Sequence, residues 1–196
     1  REAHNPQAIV LNGSYFIFHI GYKPAPALKN CNETVKSGSP VGHKHEPPPW
    51  PAAGQIHRSD SGAAGPFTPV KFAKNSGWTF CNNPSPAVHP NGTIFIVCSG
   101  GATGNGLKRA ASPEGPWTAV LTSVPSAGGG IFAVFEDPYL YWDAAGHWHL
   151  FFHAYETGEP GSTCSNSTTS AHLFSRDGFE WHTTPTQPYT TRIELA

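Results

Sequence analysis

The stretch that decides the fold runs Glu136-Asp137-Pro138-Tyr139-Leu140-Tyr141-Trp142, then through a turn at Ala145-Gly146 to Trp148-His149-Leu150-Phe151-Phe152-His153. Related copies begin at His4-Asn5-Pro6, with a turn at Asn12-Gly13, and at Asn82-Asn83-Pro84, with a turn at Asn91-Gly92. Each copy has two apolar runs joined by a tight turn, which is typical of a β-hairpin. Three copies of this length indicate one supersecondary unit that the fold uses repeatedly.

Each copy ends with a related closing phrase. The second and third phrases are Ser112-Pro113-Glu114-Gly115-Pro116-Trp117 and Ser175-Arg176-Asp177-Gly178-Phe179-Glu180-Trp181. We interpret this phrase as a turn between two shorter strands, which makes each unit a four-stranded antiparallel meander. The sequence therefore predicts an all-β fold, and the repeated meander predicts the blade of a β-propeller.

The repeats also predict the domain organisation. We expect a single propeller domain over 1–196 with blades at 4–80, 81–130 and 131–185, and a tail at 186–196 that begins a further unit. Propellers use typically four to eight blades. Three blades are too few to close a ring, so we expect an incomplete domain that assembles with missing parts of the same protein.

Composition narrows the classes of partner. The 196 residues include 21 Gly and 20 Pro, are 13% charged, and balance 12 basic against 13 acidic side chains. No basic run offers a footprint for nucleic acid, and no apolar stretch has the roughly 20 residues that membrane insertion requires. We predict no nucleic-acid partner, no membrane insertion and no cofactor.

Several features favour a secreted glycoprotein. The chain begins without a Met or a signal peptide, so we expect a further segment before Arg1. Acceptor sequons for N-glycosylation are present at four positions: Asn12, Asn32, Asn91 and Asn166. The even number of cysteines agrees with an oxidising compartment: Cys31, Cys81, Cys98 and Cys164.

The cysteine pairing is open at this point, since four cysteines allow three connectivities. We favour Cys31 with Cys81, because both flank the same long insertion between 22 and 56. The alternative is that some are buried free thiols, for which Cys98, inside an apolar run, is the best candidate.

The repeats resemble a known family. The Asx-Pro start of each inner strand and the Gly-Pro-Trp closing phrase are similar to the five-bladed propellers of family 43 glycoside hydrolases and their fructan-cleaving relatives. Asn82-Asn83-Pro84, Glu136-Asp137-Pro138 and the run from Ala171 to Gly178 also resemble a group of secreted propeller proteins of algae and other protists. The resemblance covers essentially the whole chain and implies a five-bladed propeller.

The resemblance also implies a catalytic arrangement. Those hydrolases place a base on the first blade, an Asp that tunes the acid on the third blade, and an acid Glu beyond it. Asp137 matches the tuning Asp, which supports the transition state and raises the pKa of the acid. The equivalent residues of the other repeats are Asn5 and Asn83, and an amide cannot act as a base. The acid has three candidates: Glu156, Glu159 and Glu194.

Several residues are candidates for substrate binding. Asn5 and Asn83 either contact sugar or only cap turns. His19, Cys98 and His153 are predicted to occupy matching ends of the second strands and to line the channel, with packed histidines as the alternative. Trp50, Trp142 and Trp148 are candidates for stacking on sugar rings, whereas Trp117 and Trp181 are predicted to pack between blades.

Metal binding is not predicted. His147 and His149 would share a face of a strand, but no third ligand with suitable spacing accompanies them.

Two functions follow from these observations. The first is a secreted glycoprotein that binds or hydrolyses polysaccharide at the central channel, as a glycoside hydrolase if it is active. The alternative is a catalytically inactive propeller, lectin-like or structural, outside the cell.

Overall fold

The computed structural model describes residues 3–21, 54–72, 74–78, 81–99, 106–121, 135–155, 168–184 and 188. In these residues the chain forms twelve strands and no helix, which confirms the all-β prediction. Accordingly, no described segment is a helix of the length and apolar character that a membrane crossing requires.

The strands form three four-stranded antiparallel sheets, each in sequence order, as expected of propeller blades. Blade 1 contains β1 (Ala3–Leu11), β2 (Ser14–Gly21), β3 (Gly54–Ser59) and β4 (Thr68–Pro69). Blade 2 contains β5 (Asn82–Val88), β6 (Ile94–Ser99), β7 (Gly106–Ala110) and β8 (Thr118–Leu121). Blade 3 contains β9 (Phe135–Trp142), β10 (Trp148–Tyr155), β11 (Thr168–Ser175) and β12 (His182–Thr183).

The hairpin turns explain how the first two strands of each blade meet. In blade 1 the turn has two residues, Asn12 and Gly13, both at positive φ (50° and 81°) as the tight hairpin turn requires. In blades 2 and 3 the loops are longer, since Val88 pairs with Ile94 and Trp142 pairs with Trp148. This difference in loop length changes the spacing between equivalent residues of the repeats.

The core lies between the blades. Blades 1 and 2 share one cluster: Ile9, Phe16, Phe18, Ile56, Cys81, Ile94, Ile96, Cys98, Ala110 and Trp117. Blades 2 and 3 share another: Ala87, Phe95, Val97, Leu107, Leu140, Trp148, Leu150, Phe152 and Leu173. All six residues of β6 are buried, because alternate side chains face opposite neighbours. Each large side chain buried in this way stabilises the fold by about 1.5–3 kcal/mol.

The tryptophans of the closing phrases pack between blades, as predicted. Trp117 is 4% exposed and meets Phe18 of blade 1 edge to face, with ring centroids 6.4 Å apart. Trp181 packs against the cluster between blades 2 and 3. Their indole N–H groups donate to the carbonyls of Pro113 and Gly178, so each ring is also anchored within its own turn.

The structure corrects the predicted disulfide. Cys81 is bonded to Cys98, with their Cα atoms 4.9 Å apart, so Cys81 does not pair with Cys31 and Cys98 is not a free thiol. The reason is local: the antiparallel pairing that puts Asn82 opposite Ser99 brings the two cysteines together across one hairpin. Cys31 and Cys164 lie outside the described residues.

Candidate functional site

A bulge recurs at the same place in the inner strand of every blade. Asn5, Asn83 and Asp137 each lie inside a register shift, where two residues of the inner strand lie opposite one residue of its partner. All three have positive φ (46°, 44° and 49°), a region that Asn and Asp adopt more readily than other residues with a side chain. The Asx-Pro pair therefore sets a kink that aims each Asx side chain out of its sheet.

These three side chains converge, and we call them the channel cluster. The Asn5 side-chain amide donates to Asn83 Oδ1 at 2.6 Å and to Asp137 Oδ1 at 2.8 Å. Asn83 is 7% exposed. One residue from each blade thus meets the others, although they lie 78 and 132 positions from Asn5 in the sequence.

A second layer of contacts lies two residues further along the inner strands. Gln7 donates to the carbonyl of Pro138 at 3.0 Å and accepts from the Ser85 hydroxyl at 2.9 Å. The same hydroxyl accepts from the Leu140 N–H at 2.8 Å, and Ser85 is fully buried. This layer joins the three blades directly beside the channel cluster and holds its geometry.

An open pocket of about 220 Å³ lies over the channel cluster. It is lined by Asn5, Pro6, Gln7, Asn83, Asp137, Pro138 and Tyr139. The ring of Tyr139 is 57% exposed, so the pocket combines amide and carboxylate groups with an aromatic surface. Sequence reasoning missed Gln7, Ser85 and Tyr139, whose only signal was their shared position two residues after each Asx.

His153 lies beside Asp137, with Nδ1 at 3.7 Å from Asp137 Oδ2. The predicted column of His19, Cys98 and His153 is wrong at His153: His19 and Cys98 share one register position, whose equivalent in blade 3 is Phe152, and His153 lies one residue further along β10. By strand register His153 is equivalent to Ile20 and Ser99, since these residues pair with Glu136, His4 and Asn82. A shift of one residue turns a side chain to the other face of a strand.

His19 therefore belongs to a different contact. Its Nε2 lies 2.9 Å from Nδ1 of His57 on β3, and the two rings stack. Burial and the neighbouring His19 lower the pKa of His57 below its ordinary value. Cys98 is buried in the disulfide and does not line the pocket.

The chemistry of the pocket follows from its charges. Asp137 is the one carboxylate among the described residues that line it, and its side chain is 50% exposed. Hydrolysis of a glycosidic bond uses two carboxyl groups, one to protonate the leaving oxygen and one to activate water or attack. The described part of the pocket supplies one of these groups and several hydrogen-bonding partners for hydroxyls.

No group of three or more potential metal ligands converges in the described parts of the chain. His147 and His149 do share a partner, because both approach Asp143 Oδ2, at 3.7 Å and 3.0 Å. The backbone N–H of His147, which donates to Asp143 Oδ1, lowers the pKa of the Asp143 carboxyl, and the two imidazole contacts lower it further.

Several predicted residues lie outside the described part of the chain: Trp50, Asn32, Asn166, Glu156, Glu159 and Glu194. The prediction that Trp148 stacks on a sugar ring is wrong, because Trp148 is only 2% exposed and belongs to the core between blades 2 and 3.

No protein-family model matches the sequence, and no curated protein matches it. Solved structures do match the fold. The Bacteroides ovatus xyloglucan PUL GH43B protein is 16% identical over 95% of this chain and 29% of its own, with a TM-score of 0.58. The family 117 glycoside hydrolase of the marine bacterium Zobellia galactanivorans is 19% identical over 94% of this chain and 55% of its own (TM-score 0.57).

The endo-arabinase of Bacteroides thetaiotaomicron is 13% identical over 94% of this chain and 61% of its own (TM-score 0.56). The chain thus spans less than two thirds of each of these structures. Its three blades have the fold of the β-propeller glycoside hydrolases of the family 43 kind.

Proposed function

We propose that the chain is part of a secreted, glycosidase-like propeller that binds a polysaccharide at the channel cluster. The observation that carries the proposal is the convergence of Asn5, Asn83 and Asp137 beside the exposed ring of Tyr139. Amides and carboxylates offer donors and acceptors to sugar hydroxyls, and an exposed aromatic ring offers an apolar face to a sugar ring.

The similar solved structures support a glycan as the class of ligand. One carries xyloglucan in its name and another is an endo-arabinase. We further propose that blades 4–80, 81–130 and 131–185 belong to one propeller of five blades, completed by other parts of the same protein.

The catalytic form of the proposal assigns Asp137 to transition-state support. A carboxylate at this position would raise the pKa of a nearby acid by like-charge repulsion and stabilise positive charge on the sugar ring. His153, 3.7 Å from Asp137, would help to orient that carboxylate. The base and the acid would come from residues other than those that line the described pocket.

The second candidate is a binding propeller without catalysis. It is favoured by Asn5 and Asn83, because two of the three equivalent positions carry amides that cannot exchange a proton with water. In that case the channel cluster recognises hydroxyls only, and Asp137 is one more hydrogen-bond acceptor.

Secretion is supported by the Cys81–Cys98 disulfide, because such bonds persist in oxidising compartments. Asn12 and Asn91 lie exposed in hairpin turns, where an attached glycan would meet solvent. We propose both as glycosylation sites, together with Asn32 and Asn166.

The test is hydrolysis and binding of arabinan, xylan, xyloglucan and fructan by the full-length protein and its Asp137→Asn variant. If the protein is a hydrolase, we expect kcat/KM to fall by at least about a hundredfold in the variant. Asp60→Asn is the matched control, because it makes the same change at an exposed carboxylate on blade 1.

Equal hydrolysis by the Asp137→Asn variant and the parent would remove Asp137 from catalysis. Binding without hydrolysis, weakened in Asp137→Asn and not in Asp60→Asn, would favour the non-catalytic candidate. If the protein neither binds nor hydrolyses any of these glycans, both candidate functions are overturned.

A further inference from the structure

A second pocket lies between blades 2 and 3 at the other end of β5. It has a volume of about 200 Å³, and we call it the rim pocket. One wall is the β5–β6 loop with Asn91, and the other is the closing turn of blade 3 with Arg176, Asp177 and Phe179. Six residues of extended strand from Asn83 to Val88 separate the two pockets by about 20 Å. The rim pocket is thus distinct from the channel cluster.

Phe179 gives the rim pocket an apolar surface. Three large hydrophobic side chains in the described residues are exposed, and Phe179, at 49%, is one of the two aromatic ones. The other is Tyr139, which lines the channel pocket. The Arg109 guanidinium lies 5.8 Å from the centroid of the Phe179 ring and holds it against blade 2.

The closing turn of blade 3 has one residue more than its counterpart in blade 2. Gly115 is followed by Pro116 and Trp117, whereas two residues separate Gly178 from Trp181. The turn itself is closed by Asp177 Oδ1, which accepts the N–H groups of Phe179 and Glu180 at 2.8 Å and 2.9 Å. Asp177 closes the turn without any contribution from the Phe179 ring. The exposure of this aromatic ring therefore needs another explanation.

The Asp177 carboxylate of the rim pocket is held in place before any ligand arrives. The backbone N–H groups of Glu180 and Phe179 lower the pKa of Asp177, so this carboxyl is ionised at neutral pH. All the side-chain hydrogen bonds of Asp177 among the described residues end on Oδ1, which leaves Oδ2 to accept from a ligand. Arg109 and Arg176 are exposed and add guanidinium donors.

We propose that the rim pocket binds a single sugar ring, stacked on Phe179 and hydrogen-bonded to Asp177 and Arg176. An aromatic surface with a few convergent polar groups is the general composition of a small-molecule site. Two sources could supply the sugar. One is a glycan on Asn91, whose own side chain lines the pocket, and the other is a free oligosaccharide.

The experiment uses the full-length protein in its secreted form and as the Asn91→Gln variant. Binding of N-acetylglucosamine, galactose and arabinose is titrated by saturation-transfer NMR. We expect Asn91→Gln to bind at least one of these sugars saturably, and the addition of Phe179→Ala to weaken that binding by about tenfold. Arg176→Ala is a second variant with the same expected direction. Every form carries Tyr139→Ala, which removes the aromatic surface of the channel pocket, and Val10→Ala, at another exposed apolar residue, should leave the remaining binding unchanged.

The two sources give different results. If the Asn91 glycan fills the rim pocket, the secreted form binds no added sugar in the Tyr139→Ala background while Asn91→Gln binds it. Equal binding by both forms assigns the pocket to a free oligosaccharide. The proposal is overturned if Asn91→Gln binds none of the three sugars, or if neither Phe179→Ala nor Arg176→Ala weakens the binding. Because Tyr139→Ala is present in every form, failure at the rim pocket is separable from failure at the channel cluster.

Discussion

Blades 2 and 3 have the same strand register. Each blade packs one face against the blade before it, and we call its opposite face the forward face. The forward faces of the two blades differ. In blade 2 this face carries Phe95, Val97 and Leu107, which are buried against blade 3. The equivalent residues of blade 3 are His149, Phe151 and His172, and all three are half-buried.

The two blades also differ in the residue that each contributes to the channel cluster. Asn83 and Asp137 have nearly the same φ (44° and 49°) and the same bulge, yet one carries an amide and the other a carboxylate. The repeat therefore preserves the backbone, while the side chain at each position is set by what that position faces. Changes that exchange the features of the two blades can test this view.

The largest expected effect comes from two adjacent residues on opposite faces of β10. Phe152 is fully buried between blades 2 and 3, so Phe152→Ala should lower the free energy of unfolding by about 3–5 kcal/mol. Phe151 stacks on His172 with ring centroids 4.3 Å apart, and Phe151→Ala should cost about 1 kcal/mol. Denaturant unfolding of the chain of residues 1–196 measures both.

Each variant is the control for the other, because the same atoms are removed one residue apart. Equal losses would mean that the forward face of blade 3 is as tightly covered as that of blade 2 in the protein tested.

The repeat made most of the fold predictable. Hairpin turns, alternating apolar strands and the recurring closing phrase led to three four-stranded sheets, and the aligned Asx-Pro pairs identified Asn5, Asn83 and Asp137 as equivalent. Their mutual hydrogen bonds were not predictable, because they depend on how the blades pack on one another. The family resemblance supplied a role for Asp137 that the local sequence does not contain.

The errors concern contacts across strands and between blades. His153 does not share the register position of His19 and Cys98, because the equivalent residue of blade 3 is Phe152 and His153 lies one residue further along β10. The Cys81–Cys98 bond likewise depends on the register across one hairpin, which the sequence alone does not fix. Trp148, a candidate for stacking on sugar, is instead buried by the adjacent blade.

An intermediate effect is expected when blade 2 is given the carboxylate of blade 3. In Asn83→Asp a buried carboxyl would share the Asn5 amide with Asp137, and both burial and like charge raise its pKa above the unfolded value. The unfolded chain would then bind fewer protons than the folded chain, so the variant should lose about 1–3 kcal/mol at neutral pH and recover as the pH falls. Thermal unfolding between about pH 7 and pH 4 measures this.

Asn75→Asp is the matched control for that variant, because Asn75 also has positive φ (64°) but is exposed. A loss in Asn83→Asp that does not shrink on acidification would point to disturbed packing rather than to charge.

The smallest expected effect concerns the pH dependence of stability. Burial, and then the neighbouring His149 at 2.8 Å, lowers the pKa of His172 from its ordinary 6.5, and burial with His19 does the same for His57. As the pH falls from 6.5 toward these lowered values, the unfolded chain takes up protons that the folded chain does not. The free energy of unfolding should therefore decrease in this window and be unaffected above it.

His172→Leu gives blade 3 the residue type that blade 2 has at Leu107, and this variant should lose less stability on acidification than the parent. Adding His57→Leu should reduce the loss further, because the two histidines lie on different blades and act independently. Unfolding midpoints measured from about pH 7.5 to pH 5 give the slope. Phe174→Leu alters the same face of β11 without removing an imidazole and should keep the parent slope. If the double variant loses stability on acidification as steeply as the parent, other groups cause the pH dependence of the free energy of unfolding. The imidazoles of blade 3 would then differ from the apolar residues of blade 2 in packing alone.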